Sequence, residues 1–289
     1  MHDLTGLDSV RAWTRAERQR GRRIAFVPTM GALHEGHLRL LDRAKDRADR
    51  VVVSIFVNPL QFGAGEDFDQ YPRDLARDRG LTEARGADAL FAPDTAAMYA
   101  ADPVVRVAPG PMGDVLEGAV RPGHFTGVLT VVAKLFHVVQ PDLAIFGRKD
   151  FQQAVLIRRM VDDLSFPVEI DVAPTVRELD GLALSSRNRY LNTDQRRAAL
   201  ALSRALRAVE QAWRGGEADG RALERRGLGV LSAPGVAADY LALIDEGCRP
   251  VERATAATIV VTAARVGSVR LIDNVILGEG VAADPTVSA

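Results

Sequence analysis

Two histidines, His34 and His37, lie three residues apart and follow an apolar run at residues 24–27. The run is typical of a buried strand that ends at Pro28, and two glycines in the following turn permit tight turning of the backbone. After His37 the apolar residues recur at helical spacing, so the histidines fall on one side of a helix start. Free N–H groups and the positive end of a helix dipole suit an anion there, and both imidazoles can donate to phosphate oxygens.

Two other interpretations of the histidine pair remain open. The pair could supply half of a metal site, although a structural zinc site needs four ligands, usually with cysteine, and this chain has a single Cys. The pair could also be a polar helix start that binds no ligand, because short motifs often occur by chance.

A second polar group follows the β-branched run at residues 51–57, which shows little alternation and is typical of a central parallel strand. Asn58, Gln61 and Phe62 come directly after it. Because ligands gather beyond the carboxyl ends of parallel strands, we expect these residues at the same sheet edge as the two histidines. Asn58 and the proline after it are also ordinary turn residues, which is the competing interpretation.

Lysine is rare in this chain, which has three, and Lys149 follows the apolar strand predicted at residues 143–146. An ammonium there can act as a point charge against phosphate, or it can be a solvated loop charge. The helix predicted at residues 151–164 places Gln153 about one turn after Lys149. Further along, two hydroxyls beside Arg187 form either a phosphate clamp or a helix cap followed by surface arginines.

The elements that must position these residues are predicted from apolar spacing and breakers. In the first part of the chain we expect a helix at 7–20, a helix from Tyr71 to about Arg85, a strand at 89–92, an extended segment at 104–108, a Gly- and Pro-rich loop at 109–123, a helix at 125–139 and a strand at 168–172. Later elements are a helix capped by Thr193 and reaching about Trp213, a helix at 220–231, and strands at 237–244, 258–264 and 269–277.

These elements predict an α/β fold class. A Rossmann-like parallel sheet is expected over residues 1–175 and a smaller α+β domain over residues 176–289, with a frayed tail after Gly280.

Composition narrows the class of protein. The chain has 289 residues, of which 47% are apolar and 26% charged, and its formal net charge of −1 leaves no broad basic field for nucleic acid. The lone Cys248 excludes an internal disulfide and indicates a reducing, cytoplasmic compartment. The first residues lack the apolar core of a signal peptide, and no run is long enough to cross a membrane.

A set of motifs, taken together, resembles the pantothenate synthetase (pantoate–β-alanine ligase) family, within the HIGH-type nucleotidyltransferase superfamily. The motifs span nearly the whole chain and are PTMGALHEGH, FVNPLQF with YPR, RPGHFTGV, FGRKDFQQ, LSSRNRYL and RLIDN. In this resemblance LSSRN is the counterpart of the flexible KMSKS-type loop of synthetases, with Arg187 in place of a lysine. The resemblance implies an ATP-dependent ligase that joins (R)-pantoate to β-alanine through a pantoyl adenylate, releasing AMP and diphosphate.

The resemblance also implies roles for individual residues. The catalytic positions match His37, His34, Lys149 and Arg187. The ATP-binding positions match Met30, Gly31, Ala32, Leu33, His34, Glu35, Gly36, His37, Gly147, Arg148, Lys149, Asp150, Val176, Leu184, Ser185, Ser186 and Arg187. The pantoate-binding positions match Gln61 and Gln153, and Gln61 would also meet β-alanine.

Mg²⁺ is expected to bridge the ATP phosphates, and the family can place acidic residues in the helix that follows Tyr71. Asp78 matches such a metal ligand, but the adjacent position is Arg77, which argues against direct ligation by the protein. Arg121 and His124 either line the site or support it structurally. The resemblance further implies a homodimer.

Two other functions compete with this one. Another nucleotidyltransferase of the superfamily would act on a phosphorylated small molecule and would show no dependence on β-alanine. A non-catalytic nucleotide-binding module would bind ATP without releasing pyrophosphate. A dinucleotide site is not indicated, because no GxGxxG follows the first predicted strand.

Overall fold

The computed structural model describes residues 1–99 and 103–281. The chain forms two compact units, the first made of Met1–Gly147 with Gln152–Ala173, and the second of Arg148–Phe151 with the chain from Pro174 onward. The division at Ala173 lies two residues before the predicted end of the first domain. The short segment 148–151, which contains Lys149, groups with the second unit.

The first unit contains a parallel sheet and its flanking helices. Its elements are β1 (His2–Leu4), α1 (Leu7–Gln19), β2 (Ile24–Thr29), α2 (Glu35–Lys45), β3 (Arg50–Ile55), α3 (Leu75–Ala84), β4 (Ala89–Phe91), α4 (Thr95–Met98), α5 (Glu117–Val120), α6 (His124–Val139), β5 (Leu143–Gly147), α7 (Phe151–Asp163) and β6 (Glu169–Ala173). Among the described residues the sheet has six strands in the order β1-β4-β3-β2-β5-β6, and every neighbouring pair is parallel.

The central strands are apolar almost throughout because both faces of the sheet are covered. In β2, Phe26 packs into the core cluster that includes α6, whereas its neighbours Ala25 and Val27 pack into a separate cluster with residues of α2. Alternate residues of β3 divide in the same way. The predicted Rossmann-like α/β class is confirmed.

The second unit is a three-stranded antiparallel sheet with two helices. Its elements are α8 (Thr193–Arg214), α9 (Gly220–Leu231), β7 (Val236–Ile244), β8 (Ile259–Val266) and β9 (Val269–Ile276), with a short 3₁₀ helix at Ser186–Tyr190. One face of the sheet and the apolar sides of both helices share a core cluster that includes Leu202, Leu223 and Val260. The predicted α+β organisation is therefore present in this unit.

Several boundary predictions are wrong for identifiable reasons. Pro28 does not end β2, which continues to Thr29 beside β3; β5 pairs only with Ala25 and Phe26, so the missing N–H of Pro28 interrupts no pairing with β5. The cap of α8 is Asn192, whose side chain accepts from the backbone of Gln195, rather than Thr193.

Other differences concern weak local signals. The short edge strand β1 was not predicted, because three residues carry too little periodicity. Residues 104–108 form no strand. Helix α3 begins at Leu75 and not at Tyr71, since Asp74 supplies the capping carboxylate. Residues 282–289, which make up nearly all of the predicted frayed tail, lie outside the described residues.

Candidate active site

The turn between β2 and α2 carries most of the predicted ATP-binding residues. Thr29 anchors its start, because the hydroxyl donates to the Ser54 carbonyl at 2.8 Å and accepts the Gly31 N–H at 3.1 Å. Gly31 and Ala32 both have left-handed backbones, with φ of 81° and 51°. This conformation is ordinary for glycine and costly for alanine, so the turn needs support from outside.

That support comes from Asp78 in α3, whose side chain is only 1% exposed. Its two carboxylate oxygens accept the Ala32 N–H at 2.6 Å and the Leu33 N–H at 2.9 Å. The Arg77 guanidinium donates to the Leu33 carbonyl at 3.0 Å and lies 3.4 Å from the Asp78 carboxylate. A side chain on Gly31 would approach Asp78 to 3.0 Å, which explains the glycine. The backbone N–H groups of Ala32 and Leu33 thus serve Asp78 rather than a ligand.

The predicted metal-binding role of Asp78 stays a prediction, but each of its oxygens already holds one amide. Among the residues that the structure describes, no group of three or more His, Cys, Asp or Glu could hold a metal ion. The described side chains therefore offer no ready-made cluster of three such ligands, and a single carboxylate such as that of Asp78 is not tested by this finding.

His34 and His37 sit at the N-terminus of α2, as predicted. His34 is the N-cap, and its backbone N–H donates to Nδ1 of His37 at 3.3 Å. Since Nδ1 of His37 accepts, the proton of the neutral ring is on Nε2, which can donate. The two rings lie 4.1 Å apart between centroids. Glu35, the first residue of α2, forms an ion pair with Arg85 at 2.6 Å, so the negative charge of its carboxylate is balanced within the protein.

Gln61 belongs to a short 3₁₀ turn, Pro59–Gln61, just after β3. Its amide nitrogen donates to the sulfur of Met30 at 3.0 Å, and its amide oxygen accepts from Asn58 at 3.2 Å. Asn58 in turn donates to the Gly127 carbonyl at 3.1 Å and accepts from the Tyr99 hydroxyl at 3.0 Å. The structure thus brings the predicted pantoate residue Gln61 into contact with the predicted ATP-binding residue Met30.

Arg121 and His124, from the RPGHFTGV motif, hold the backbone of Gln61. Nδ1 of His124 lies 2.8 Å from the Gln61 carbonyl, and Nε2 lies 3.0 Å from the Arg121 guanidinium. Because a guanidinium can only donate, Nε2 must accept and Nδ1–H must donate, which requires the neutral ring. Burial, reinforced by the Arg121 charge, lowers the pKa of His124 to about 4. Arg121 is itself paired with Glu66 at 2.6 Å.

The two glutamines that follow Lys149 differ in role. Gln152 is buried, donates to the carbonyls of Met112 and Val115 at 2.9 Å, and accepts the Glu117 N–H at 3.1 Å. It therefore anchors the chain before α5. Gln153 is half-buried in the first turn of α7. No other described residue of the first unit hydrogen-bonds to its side-chain amide. The predicted pantoate role of Gln153 stays a prediction.

In the second unit, Arg148–Asp150 forms a 3₁₀ turn directly after Gly147 ends β5. The side-chain amide of Asn274 in β9 donates to the carbonyls of both Arg148 and Lys149, each at 2.9 Å. The Arg148 guanidinium pairs with Glu279. Within the described part of this unit the Lys149 ammonium makes no hydrogen bond or ion pair, and its predicted phosphate role stays a prediction.

The LSSRN motif follows a narrow hairpin in the second unit. Leu184 donates its N–H to the Val176 carbonyl at 3.0 Å, and Arg177 pairs with Ala183 across the hairpin. The Ser185 hydroxyl accepts the Arg187 N–H at 3.3 Å and so caps the 3₁₀ helix. The capping interpretation therefore holds for Ser185, while the phosphate roles of Ser186 and Arg187 stay predictions.

A family model described as pantoate-beta-alanine ligase matches residues 3–276 of the chain. The chain belongs to the pantoate–β-alanine ligase family. The match runs from β1 to the end of β9 and so covers both units. It favours the ligase over the other nucleotidyltransferases and over the non-catalytic nucleotide-binding module.

Relatives within the ligase family are similar over most of their length. Pantothenate synthetase of Heliobacterium modesticaldum is 51% identical over 279 residues, which cover 96% of this chain and 99% of that protein. Pantothenate synthetase of Nocardioides sp. is 55% identical over 271 residues, covering 90% of this chain and 80% of that protein.

Solved structures of the ligase family share the fold. Pantothenate synthetase from Thermus thermophilus has a TM-score of 0.91 and 47% identity, covering 96% of this chain and 99% of that one. Pantoate-beta-alanine ligase from Francisella tularensis, complexed with beta-gamma ATP and beta-alanine, has a TM-score of 0.80 and 32% identity, covering 98% of this chain and 100% of that one.

Sequence reasoning missed three supporting residues. Asp78 was assigned to a metal and not to the turn, Asn274 was noted only as part of RLIDN, and Tyr99 was not singled out. Their common feature is a hydrogen bond to a residue far away in the sequence, for which a single sequence carries no signal.

None of the helices among the described residues has the length and apolar composition that a membrane span requires.

Proposed function

We propose that the chain catalyses the ATP-dependent condensation of (R)-pantoate with β-alanine to pantothenate, with release of AMP and diphosphate. One arrangement carries the proposal beyond family membership. The Gln61 amide bonds to Met30 in the same turn that ends at His34 and His37. In this proposal, the residue that would hold a small hydroxy acid therefore adjoins the turn that would hold phosphate.

The first half-reaction joins pantoate to the nucleotide. A pantoate carboxylate oxygen attacks the α-phosphorus of ATP, and the bond to the bridging oxygen of diphosphate breaks. Negative charge grows on the phosphate oxygens, where the Nε2–H of His37 and the N-terminus of α2 can stabilise it. Gln61 is neutral, which suits a carboxylate that must stay nucleophilic.

The second half-reaction uses the adenylate as an activated acyl group. The amine of β-alanine attacks the acyl carbon, and the carbon–oxygen bond to AMP breaks. The single cysteine of the chain, Cys248, is not among the candidate site residues, and in this proposal the adenylate is held without a covalent bond to the protein. The protein contributes mainly orientation and charge stabilisation.

Lys149 and Arg187 supply further donors to the ATP phosphates in this proposal. The support is the match of both residues to family motifs and the free ammonium of Lys149 in the second unit. We infer that Mg²⁺ would enter with ATP and would be held mainly by its phosphate oxygens, because a small hard cation prefers such ligands.

Pyrophosphate release tests the function directly. The protein should release pyrophosphate from ATP only when pantoate is present, and should form an amide only when β-alanine is added. If both carboxylate oxygens of pantoate carry heavy oxygen, one labelled oxygen should appear in AMP. Label absent from AMP, or products that are ADP and phosphate, would show that the adenylate route is wrong.

We also propose a homodimer, from the family resemblance, and a cytoplasmic location, from the single cysteine. Sedimentation or light scattering at assay concentrations tests the oligomeric state, and a monomer there would contradict it. Fractionation of the producing cell tests the location, and recovery outside the cytoplasm would contradict it.

A further inference from the structure

Asn274 is the last residue of the RLIDN motif and is only 3% exposed. Both hydrogens of its side-chain amide are used, because Nδ2 donates to the carbonyl oxygens of Arg148 and Lys149 at 2.9 Å each. Only an amide placed with nitrogen towards the two carbonyls can make both bonds, so the orientation of the side chain is determined by the network. Strand β9 is therefore hydrogen-bonded directly to the backbone at Lys149.

The preceding residue, Asp273, is hydrogen-bonded to Arg177 in the hairpin that leads to the LSSRN motif. Its carboxylate accepts two hydrogen bonds from the buried Arg177 guanidinium, at 2.6 and 2.8 Å. Arg177 also donates to the carbonyls of Gly181 at 3.2 Å and Asn274 at 3.0 Å. Two adjacent residues of one strand thus hold both segments of this unit that carry predicted phosphate donors.

The chemistry of Asn274 argues against a role in stability alone. Its buried amide oxygen accepts no hydrogen bond from the described part of the chain, and such an unpaired acceptor costs free energy. An apolar residue of similar size would avoid that cost but could not donate to the two carbonyls. The side chain is therefore suited to fixing a backbone turn.

We propose that Asn274 is a positioning residue for Lys149: its two hydrogen bonds hold the turn from which the Lys149 ammonium reaches the ATP phosphates. The role of Lys149 in this inference rests on the proposed function. Loss of the two bonds lets the turn shift, and a displacement of about 1 Å at a reacting group can cost on the order of a hundredfold in rate.

A double-mutant cycle tests the inference. The variants are Asn274→Ala, Lys149→Ala and the pair together, each assayed for pantoate-dependent pyrophosphate release over a range of ATP concentrations. Asn274→Ala should lower kcat/KM for ATP by about tenfold to a hundredfold. In the Lys149→Ala background the same change should cost no more than about twofold, because the group it positions is already gone. Independent, multiplying losses would overturn the inference.

A second readout does not depend on activity. Hydrogen–deuterium exchange of the peptide covering residues 148–150 should be faster in Asn274→Ala than in the unchanged protein. Unchanged exchange there would also overturn the inference. If Asn274→Ala does not fold, Asn274→Ser, which can keep one of the two bonds, is measured in the same way.

The matched control is Asn192→Ala, which removes a helix cap in the same unit. It should lower stability without changing kcat/KM for ATP or exchange at residues 148–150. A comparable kinetic loss in the control would mean that any destabilisation of this unit affects the reaction, which contradicts a positioning role. An unchanged protein that releases no pantoate-dependent pyrophosphate would instead refute the proposed function, and the exchange comparison would still decide whether Asn274 holds the turn.

Discussion

The Asp78 carboxylate is the main external support of the turn between β2 and α2 in the first unit. It accepts the N–H groups of Ala32 and Leu33, and Ala32 has the left-handed backbone that side chains adopt reluctantly. Replacing Asp78 should therefore destabilise the unit and loosen the approach to His34 and His37. A metal ligand would behave differently, since its loss would chiefly raise the requirement for Mg²⁺.

The magnitude follows from the two hydrogen bonds. A bond from a neutral N–H to a charged acceptor contributes about 1.5–3 kcal/mol, and a buried N–H left unpaired costs a similar amount. Asp78→Asn keeps one acceptor oxygen but turns an NH₂ group towards the other amide, so we expect a loss of about 2–3 kcal/mol. Asp78→Ala removes both acceptors, and we expect a loss of about 3–5 kcal/mol.

Tryptophan fluorescence during urea unfolding can be assigned to the first unit, because the two tryptophans of the chain fall in different units. Trp13 packs against the core of the first unit and Trp213 against that of the second. In a Trp213→Phe background, fluorescence reports on Trp13 alone. The matched control is Asp74→Ala, which removes the exposed cap of the same helix and should cost about 1 kcal/mol.

Activity separates support of the turn from metal binding. Asp78→Asn should lower the rate of pyrophosphate release on the order of a hundredfold, because the turn is misplaced. Its half-saturating Mg²⁺ concentration should stay that of the unchanged protein. The reasoning is refuted if Asp78→Ala unfolds like the Asp74→Ala control, or if raised Mg²⁺ restores the activity of either Asp78 variant.

Three further predictions concern other residues of the site. His37→Ala should fold normally and lose about a hundredfold or more in adenylation, the scale for one preorganised donor; near-normal pyrophosphate release by the folded variant would contradict the role. Lys149→Arg should be impaired despite keeping its charge, since a guanidinium prefers planar, forked partners, and normal turnover would mark Lys149 as a solvated charge. Because burial lowers the pKa of His124 to about 4 from 6.5, its contribution to stability is complete above pH 6.5 and is lost as pH falls towards 4, by at most about 3 kcal/mol. Unfolding measured across this range should be less pH-dependent in His124→Asn, and identical slopes would contradict the neutral ring.

Local features of the sequence were enough to predict most of the fold. The apolar runs that became β2, β3 and β5 have near-continuous burial because they lie inside a parallel sheet, and this composition is visible in any short window. The helix predicted at 220–231 has the same bounds as α9. The histidine pair was also placed correctly at a helix N-terminus, since glycines and helical spacing are adjacent in the chain.

The support of the site was decided only by the tertiary structure. Asp78 reaches Ala32 across 46 positions, and Asn274 reaches Lys149 across 125. A hydrogen bond between a side chain and a distant backbone group leaves no periodicity in the sequence, because any carboxylate or amide of suitable reach can make it. The sequence thus determined which residue types could meet phosphate and carboxylate, whereas long-range hydrogen bonds in the folded chain decided which other side chains hold them in place.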